Sequence, residues 1–107
     1  MKEVEREACL QEVEEAVNFE FYKTLFEPVR VVIIKFLAVN GKSNITEIAE
    51  NLPQDRSVIS RHLDLMHRYD LVTKERLGRN VFYQVNEQVI LKEFKETVIQ
   101  LENLFDC

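Results

Sequence analysis

A change of hydrophobic period near residue 71 constrains the fold of this chain more than any other feature of its sequence. Before it, Ile59, Leu63 and Met66 recur at the spacing of one face of a helix. After it, apolar and polar residues alternate through residues 71–85, on both sides of a short connection that contains Gly78. Alternation interrupted by a glycine connection is typical of a β-hairpin. The chain is therefore predicted to pass from helices into a single hairpin.

Two short helices are predicted immediately before the hairpin. Asn44 followed by Glu47 fits a capping box at the start of the first, and Pro53 ends that helix. Asp55 then stands at the position of an N-cap for the second helix. Two short helices joined by a tight turn form a helix-turn-helix, here over about residues 44–69, and the hairpin behind it predicts the winged form.

Three further helices complete the predicted fold. An apolar stripe opposite a row of glutamates predicts one helix over about residues 4–25. Pro28 suits the first turn of the next, which reaches about residue 39 and is so apolar that we expect it at the centre of the core. The last is predicted over about residues 87–105. The expected fold class is mainly α with a small β-hairpin wing, a winged helix-turn-helix of about five helices in a single domain over residues 1–107.

The charge of the chain is unevenly distributed. The net charge of −5, taken alone, argues against a nucleic-acid partner. The distribution of charge along the sequence changes that conclusion. Residues 53–83 contain six basic and four acidic residues together with both histidines, whereas residues 1–27 contain three basic and eight acidic residues. The local field decides whether a phosphate backbone is attracted, so the basic middle of the chain is a candidate DNA-binding region.

The second helix of the predicted helix-turn-helix has small hydroxyls and arginines on its polar face. A helix fits the major groove, where arginine pairs with guanine and serine contacts bases or phosphates without bulk. Basic residues of the hairpin would reach the adjoining backbone. The predicted DNA-contacting residues are Arg56, Ser57, Ser60, Arg61, His62, Arg68, Lys74, Arg76 and Arg79. The alternative is that this charge is only a solvated face of a generic helical packing.

The run from Leu25 to Asn86 resembles the ArsR/SmtB family of winged-helix transcriptional repressors. The resemblance rests on residues 26–30, 45–50 and 57–63, and on Asp70-Leu71-Val72, Gly78-Arg79 and Tyr83 in the wing. It implies a homodimer built from the terminal helices that binds a palindromic operator in double-stranded DNA. It also implies an inducer, usually a metal ion, a metalloid or a reactive sulfur or oxygen species. In the family His62 matches a position used structurally or at DNA.

The metal sites usual in that family are not expected here. One usually places a Cys-x-Cys pair where this chain has residues 47–53, which contain neither cysteine nor histidine. The other needs histidine in the last helix, and none follows Asn86. Zinc prefers nitrogen and sulfur donors, and His62 and His67 are five residues apart, which does not stack them on one helix face. We therefore predict no metal and no cofactor.

Cys9 and Cys107 lie near the two ends of the sequence. The family resemblance brings the first and last helices together at the dimer interface, so the two could form a thiol switch that is oxidised to a disulfide or polysulfide link. Alternatively both are incidental, Cys9 as a small apolar residue and Cys107 as part of a frayed terminus. The spacing of the two supports no disulfide framework, and a reducing cytosol is the expected compartment.

The last helix carries a narrow apolar seam of the kind that one helix offers to another. Its residues are spaced three and four apart, and the first helix carries a related stripe. The predicted dimer-interface residues are Leu10, Val13, Val17, Leu91, Phe94, Val98, Leu101 and Phe105. The alternative is that the seam packs on its own domain, although a domain this small has little core left to cover it.

Several other function classes are disfavoured. No apolar run approaches the roughly 18 residues of a membrane span, and the highly charged start does not fit a secretory signal. The sequence has no glycine-rich phosphate loop and no nucleophile–histidine arrangement away from the predicted recognition helix, so an enzyme is not expected. The remaining rival is a winged helix that binds another protein and never touches DNA.

Overall fold

Residues 3–106, which the computed structural model describes, form six helices and one small antiparallel sheet of three strands. The sheet has the order β1-β3-β2. The elements are α1 (Glu3–Ala16), α2 (Phe19–Leu25), α3 (Pro28–Asn40), β1 (Ser43–Asn44), α4 (Ile45–Asn51), α5 (Arg56–Arg68), β2 (Val72–Leu77), β3 (Asn80–Val85) and α6 (Glu87–Phe105). The predicted class, mainly α with a winged helix-turn-helix, is confirmed.

The prediction of one helix over residues 4–25 is wrong, because the chain breaks between α1 and α2. The side chain of Asn18 caps α2 by accepting a hydrogen bond from the backbone N–H of Phe21 at 3.0 Å. A cap of this kind requires a non-helical backbone at the capping residue, which interrupts the helix. The break redirects the chain so that Phe21 and Leu25 enter the core.

The core lies between α2, α3, α4, α5 and the base of the wing. It contains the predicted triad Ile59, Leu63 and Met66, all fully buried. The other buried members are Phe21, Leu25, Ile33, Leu37, Ile48, Leu71, Val72 and Tyr83. Helix α3 is only partly the buried centre that its composition predicts, since Ile33 and Leu37 are buried whereas Val39 is 84% exposed. An apolar helix at the edge of a small domain has only one face to bury.

Local hydrogen bonds define the ends of the helix-turn-helix. The predicted capping box is confirmed at α4: Asn44 Oδ1 accepts from the Glu47 N–H at 2.9 Å, and Glu47 Oε1 accepts from the Asn44 N–H at 3.1 Å. Asp55 is the N-cap residue of α5, as predicted, but its side chain makes no capping hydrogen bond. The N–H groups of the first turn of α5 therefore donate no hydrogen bond to the Asp55 side chain.

Helix α5 ends in a left-handed residue and leads directly into the wing. Asp70 has a φ of 60°, and the N–H groups of Asp70 and Leu71 donate to the carbonyls of His67 and Met66. This is the Schellman pattern, here with aspartate where glycine is usual. The hairpin connection contains Gly78, as predicted: Gly78 opens a two-residue turn with a φ of 63°, a conformation that glycine adopts without strain.

The molecule is elongated, with extents of 60 × 23 × 20 Å and a radius of gyration of 17.6 Å. A compact chain of this length has a radius of gyration of about 13 Å. The excess comes from α1 and α6, which lie against each other; we call them the arm, and residues 19–85 the reading unit. No helix within residues 3–106 is both long and apolar enough to cross a membrane.

Candidate nucleic-acid interface

A groove separates the start of α5 from the tip of the wing. It has a volume of about 680 Å³. Four of the predicted DNA-contacting residues line it: Arg56, Ser57 and Ser60 from α5, and Arg79 from the turn of the wing. The helix and the wing are separate elements in the sequence, and the fold brings their basic residues to one concave surface. A positively charged groove beside a helix N-terminus is suited to a phosphate backbone.

Six further residues line the same groove and were missed by the sequence analysis. They are Asn44, Ile45, Thr46, Asn80, Val81 and Tyr83. Thr46 is the most informative, because its Oγ1 accepts a hydrogen bond of 2.9 Å from Nη1 of Arg56 and so holds that guanidinium at the mouth of the groove. Thr46 lies in the first turn of α4, and a hydroxyl there is the only sequence signal that could have indicated the contact.

The outer face of α5 keeps two more of the predicted guanidinium groups exposed. Arg61 and Arg68 are exposed and lie outside the groove. Within residues 3–106, neither takes part in a side-chain hydrogen bond or ion pair. Their positive charge is therefore not neutralised by contact with the same protomer, which is what a residue that meets DNA requires.

The basic and acidic side chains of β2 in the wing lie on opposite faces of the strand. Lys74 and Arg76 stand opposite Tyr83 and Val81 in the β2–β3 register and are exposed. Glu75 belongs to the other face, where its carboxylate pairs with Lys42 Nζ at 2.5 Å. Alternation along a strand sends successive side chains to opposite faces. Within residues 3–106, Lys74 and Arg76 therefore form no ion pair on the face shared with the groove lining, although Nε of Arg76 donates to the carbonyl of Gly78 at 3.4 Å.

His62 lies apart from the groove, in contact with the first turn of α3. Its Nδ1 accepts a hydrogen bond of 3.2 Å from Nε of Arg30 and lies 3.6 Å from a carboxylate oxygen of Glu27. The predicted role in DNA contact is therefore not supported on this edge of the ring, which is engaged within the protomer. The sequence pattern placed His62 beside Arg61 but could not indicate which side of α5 the imidazole occupies.

Tyr83 forms the floor of the groove. Burial raises the pKa of its phenol, and the negative charge of Asp64 on α5 raises the pKa further. Both effects disfavour the phenolate, because the first removes water and the second adds a like charge. The phenol of Tyr83 therefore stays protonated to a higher pH than that of an exposed tyrosine.

The predicted dimer residues divide into two groups. Val13 and Val17 are only 8% and 6% exposed within one protomer, so they cannot form the open interface that was predicted for them. A helical stripe does not reveal whether its own chain or a partner covers it. The remaining predicted residues are large, apolar and exposed: Leu10, Leu91, Phe94, Val98, Leu101 and Phe105. Helix α6 has no buried residue over its 19 positions.

The structure describes Cys9 but not Cys107. Cys9 is half-buried in α1 and disulfide-bonded, so its sulfur does not titrate as a thiol. Cys107 lies outside the described residues. Over residues 3–106 no group of three or more histidine, cysteine, aspartate or glutamate side chains is arranged to hold a metal ion.

Comparisons with known proteins agree with this geometry. Residues 27–74 match the family described as bacterial regulatory protein, arsR family. An uncharacterized HTH-type transcriptional regulator of Methanocaldococcus jannaschii, MJ1325, is 31% identical over 83 residues, which are 77% of this chain and 91% of that protein.

Two solved structures have a similar fold. A possible transcriptional regulator for arsenical resistance superposes with a TM-score of 0.57 at 30% identity, covering 78% of each chain. The transcriptional repressor PagR of Bacillus anthracis gives a TM-score of 0.61 at 26% identity, covering 75% of this chain and 88% of that one. The similarity in each case extends over the larger part of both chains, beyond the helix-turn-helix alone.

Proposed function

Because this chain belongs to the ArsR family of transcriptional regulators, we propose that it is a repressor that binds operator DNA as a homodimer. The observation that carries the proposal is the groove in which Arg56, Ser57 and Ser60 of α5 meet Arg79 of the wing. In the proposed complex α5 enters the major groove and the wing follows the adjoining backbone. Repression results because the bound dimer occupies DNA that transcription requires.

The residues of the interface have different roles in this proposal. Arg61, on the exposed face of α5, reads base edges, because a guanidinium can donate two parallel hydrogen bonds to guanine. Ser57 and Ser60 contact bases or phosphates at the start of α5. Lys74, Arg76 and Arg79 of the wing, with Arg56 and Arg68 at the two ends of α5, contact phosphates and position the helix. His62 is left out of the contact set and is assigned to positioning α5.

The dimer is supported by the exposed apolar face of the arm. Leu91, Phe94, Val98 and Leu101 extend along α6 over nearly three helical turns, and an apolar surface of this length is costly to leave in water. The partner proposed is a second copy of the chain, because operator half-sites read by two identical helices match a two-fold symmetric protein. The half-sites should be about 34 Å apart or a multiple of that.

Release from DNA is proposed to depend on Cys9 and Cys107. Two thiols lose two protons, and an oxidant, either a peroxide or a polysulfide, accepts two electrons as the sulfur–sulfur bond forms. Cys9 lies in the arm, so a bond there would change how the two protomers pack and hence the separation of their recognition helices. Cys9 is disulfide-bonded in this structure, which is the oxidised state that the proposed switch requires.

Fluorescence anisotropy over a salt series tests DNA binding. The probes are a labelled duplex selected from a random pool by the protein and a scrambled duplex of the same composition. We expect tighter binding to the selected duplex, with affinity falling steeply as salt rises. Failure to select any sequence, together with no salt-sensitive binding at low salt, would instead identify a protein-interaction module.

A gel shift on the same duplex tests the thiol switch. The protein is assayed reduced, oxidised and polysulfide-treated, beside Cys9→Ser and Cys107→Ser. We expect oxidation to release the wild-type protein and to leave both variants bound. Equal binding of all three proteins under every treatment would eliminate the switch while leaving the DNA-binding proposal intact.

A further inference from the structure

A single guanidinium joins three helices of the reading unit. Nη1 of Arg30, in the first turn of α3, donates to the backbone carbonyl of Thr24 near the end of α2 at 3.0 Å. Its Nε donates to Nδ1 of His62 on α5 at 3.2 Å. The side chains of Arg30 and His62 are only 14% and 20% exposed. A guanidinium holds its donors in a rigid plane, so these bonds fix the helices relative to one another.

Glu27 completes this cluster from the N-cap of α3. One carboxylate oxygen accepts from the backbone N–H of Arg30 at 3.1 Å and lies 4.0 Å from its Nε and 3.6 Å from Nδ1 of His62. The carboxylate balances the half-buried positive charge of Arg30, which would be costly to leave unpaired. Because Nε of Arg30 donates to it, Nδ1 of His62 is the acceptor in this contact.

The side chain of Tyr22 connects α2 to helix α6 of the arm. The hydroxyl of Tyr22 donates to the backbone carbonyl of Glu93 on α6 at 2.9 Å and lies 2.5 Å from Oγ1 of Thr97. The ring of Tyr22 packs edge-on against Phe94, with 5.0 Å between ring centroids. Helix α2 is only seven residues long, so one short rigid element carries the contacts to α6 and the contact to Arg30.

We propose that Arg30 is a positioning residue for DNA reading: through His62 it sets the orientation of α5 relative to α2 and, through Tyr22, relative to the arm. The inference rests on the proposed function, because its readout is the recognition of DNA sequence. It assigns a role to Glu27, Arg30 and His62, which match the family pattern but do not line the groove.

Loss of a positioning residue should change DNA binding differently from loss of a residue that contacts phosphate. Hydrogen bonds to base edges depend steeply on distance and angle, so a small reorientation of α5 weakens them. Attraction between arginine and phosphate varies slowly with distance and survives the same reorientation. Loss of the Arg30–His62 bond should therefore reduce affinity for the selected duplex while leaving affinity for the scrambled duplex and the salt dependence unchanged.

Arg30→Lys is the main test variant, because lysine retains the charge but cannot bond Thr24 and His62 through a planar fork. We expect about tenfold weaker binding to the selected duplex and unchanged binding to the scrambled one. His62→Leu should give a similar loss, since leucine offers no acceptor. His62→Asn retains an acceptor oxygen near the position of Nδ1 and should remain within about twofold of wild type.

Two further variants complete the cycle. Arg30→Lys combined with His62→Leu should lose no more than either single variant, because both remove the same bond. Tyr22→Phe keeps the ring contact but removes the hydroxyl bonds, and we expect about threefold weaker binding to the selected duplex only. All affinities are measured at a temperature where circular dichroism shows every variant fully folded, so that instability cannot imitate the effect.

The outcomes are distinguishable. Equal losses on both duplexes with a reduced salt dependence would show that Arg30 contacts phosphate, and additive losses in the double variant would show two independent roles; either result overturns the proposal. So would wild-type affinity in Arg30→Lys, or a loss in His62→Asn as large as in His62→Leu, which would indicate direct DNA contact by the imidazole. If the wild-type protein binds neither duplex, the proposed function itself fails and the inference fails with it.

Discussion

The reading unit and the arm differ in how much of their apolar surface is buried within one protomer. Every member of the main hydrophobic cluster lies between Phe21 and Tyr83, and the cluster is closed within one protomer. In the arm, α6 buries no residue and α1 buries only Val13. The reading unit is therefore a complete folding core, whereas the arm has an apolar face that a single chain leaves uncovered. In the proposed dimer, stability and assembly therefore depend on separate sets of residues.

The two regions also differ in charge. Residues 84–107 contain five acidic and two basic residues, whereas residues 53–83, which span α5 and most of the wing, contain six basic and four acidic residues. An acidic arm is repelled by phosphate and a basic groove is attracted to it. This distribution favours one orientation on DNA, with the arm directed away from the duplex.

The largest expected effect comes from a charge placed on the arm. Val98→Glu should prevent association, because an unpaired carboxylate in an apolar interface is strongly disfavoured. Operator affinity should fall by about a hundredfold or more as the two reading units lose their linkage. Val39→Glu, an equal change on the exposed end of α3, is the control. Analytical ultracentrifugation measures the mass; an unchanged dimer in Val98→Glu would contradict the comparison.

Truncation in the core of the reading unit should lower stability without changing assembly. Ile33 is fully buried, and Ile33→Ala is expected to reduce the free energy of unfolding by about 2–5 kcal/mol. The neighbouring Val32 lies on the exposed side of α3, so Val32→Ala should cost well under half as much. Urea unfolding measures both. A similar loss in the two variants would show that α3 is not held by the core described.

Alanine substitutions of two arginines in the reading unit should weaken DNA binding in different ways. Arg61→Ala should cost about 1–3 kcal/mol on the selected duplex and relax base preference, because a base contact is lost. Arg79→Ala should weaken binding to all sequences. It should also reduce the slope of log affinity against log salt concentration by about one, because one fewer counterion is released. Lys23→Ala, on α2, serves as the charge control. Equal losses of Arg61→Ala on selected and scrambled duplexes would show that Arg61 is not a base reader.

The smallest effects concern the two helix caps. Asn44→Ala removes the capping box of α4 and should lower the free energy of unfolding by about 1 kcal/mol. Asp55→Ala removes no capping bond and should change stability by less than about half of that. Thermal unfolding of the pair compares them directly. An Asp55 effect as large as that of Asn44 would contradict the geometry at the start of α5.

Periodic patterns and short-range signals predicted much of the fold. The spacing of Ile59, Leu63 and Met66 identified the buried face of α5, and the alternation on both sides of Gly78 identified the wing. The bounds of α6 and the Asn44–Glu47 capping box were also predicted. These features follow from contacts within a few residues along the chain, which the sequence displays directly.

Features decided by tertiary packing were missed. Strand β1 is only two residues long, too short for any period, and exists because Ser43 and Asn44 pair with β3. The break at Asn18 was missed because an apolar stripe continues across it. The burial of Val13 and the engagement of His62 with Arg30 depend on neighbours that are distant in sequence. The groove itself joins residues from Asn44 to Tyr83, so no local pattern could reveal it.

The long axis of the protomer is more than twice either short axis, and this proportion makes the arm a lever. A slight rotation where two arms meet moves the opposite end of each protomer through a much larger arc. In the proposed dimer, a chemical change in the arm that leaves the fold intact could thus move the two reading units out of register with successive turns of the double helix. In the proposed switch, the length that leaves the arm uncovered would also amplify a signal that begins there.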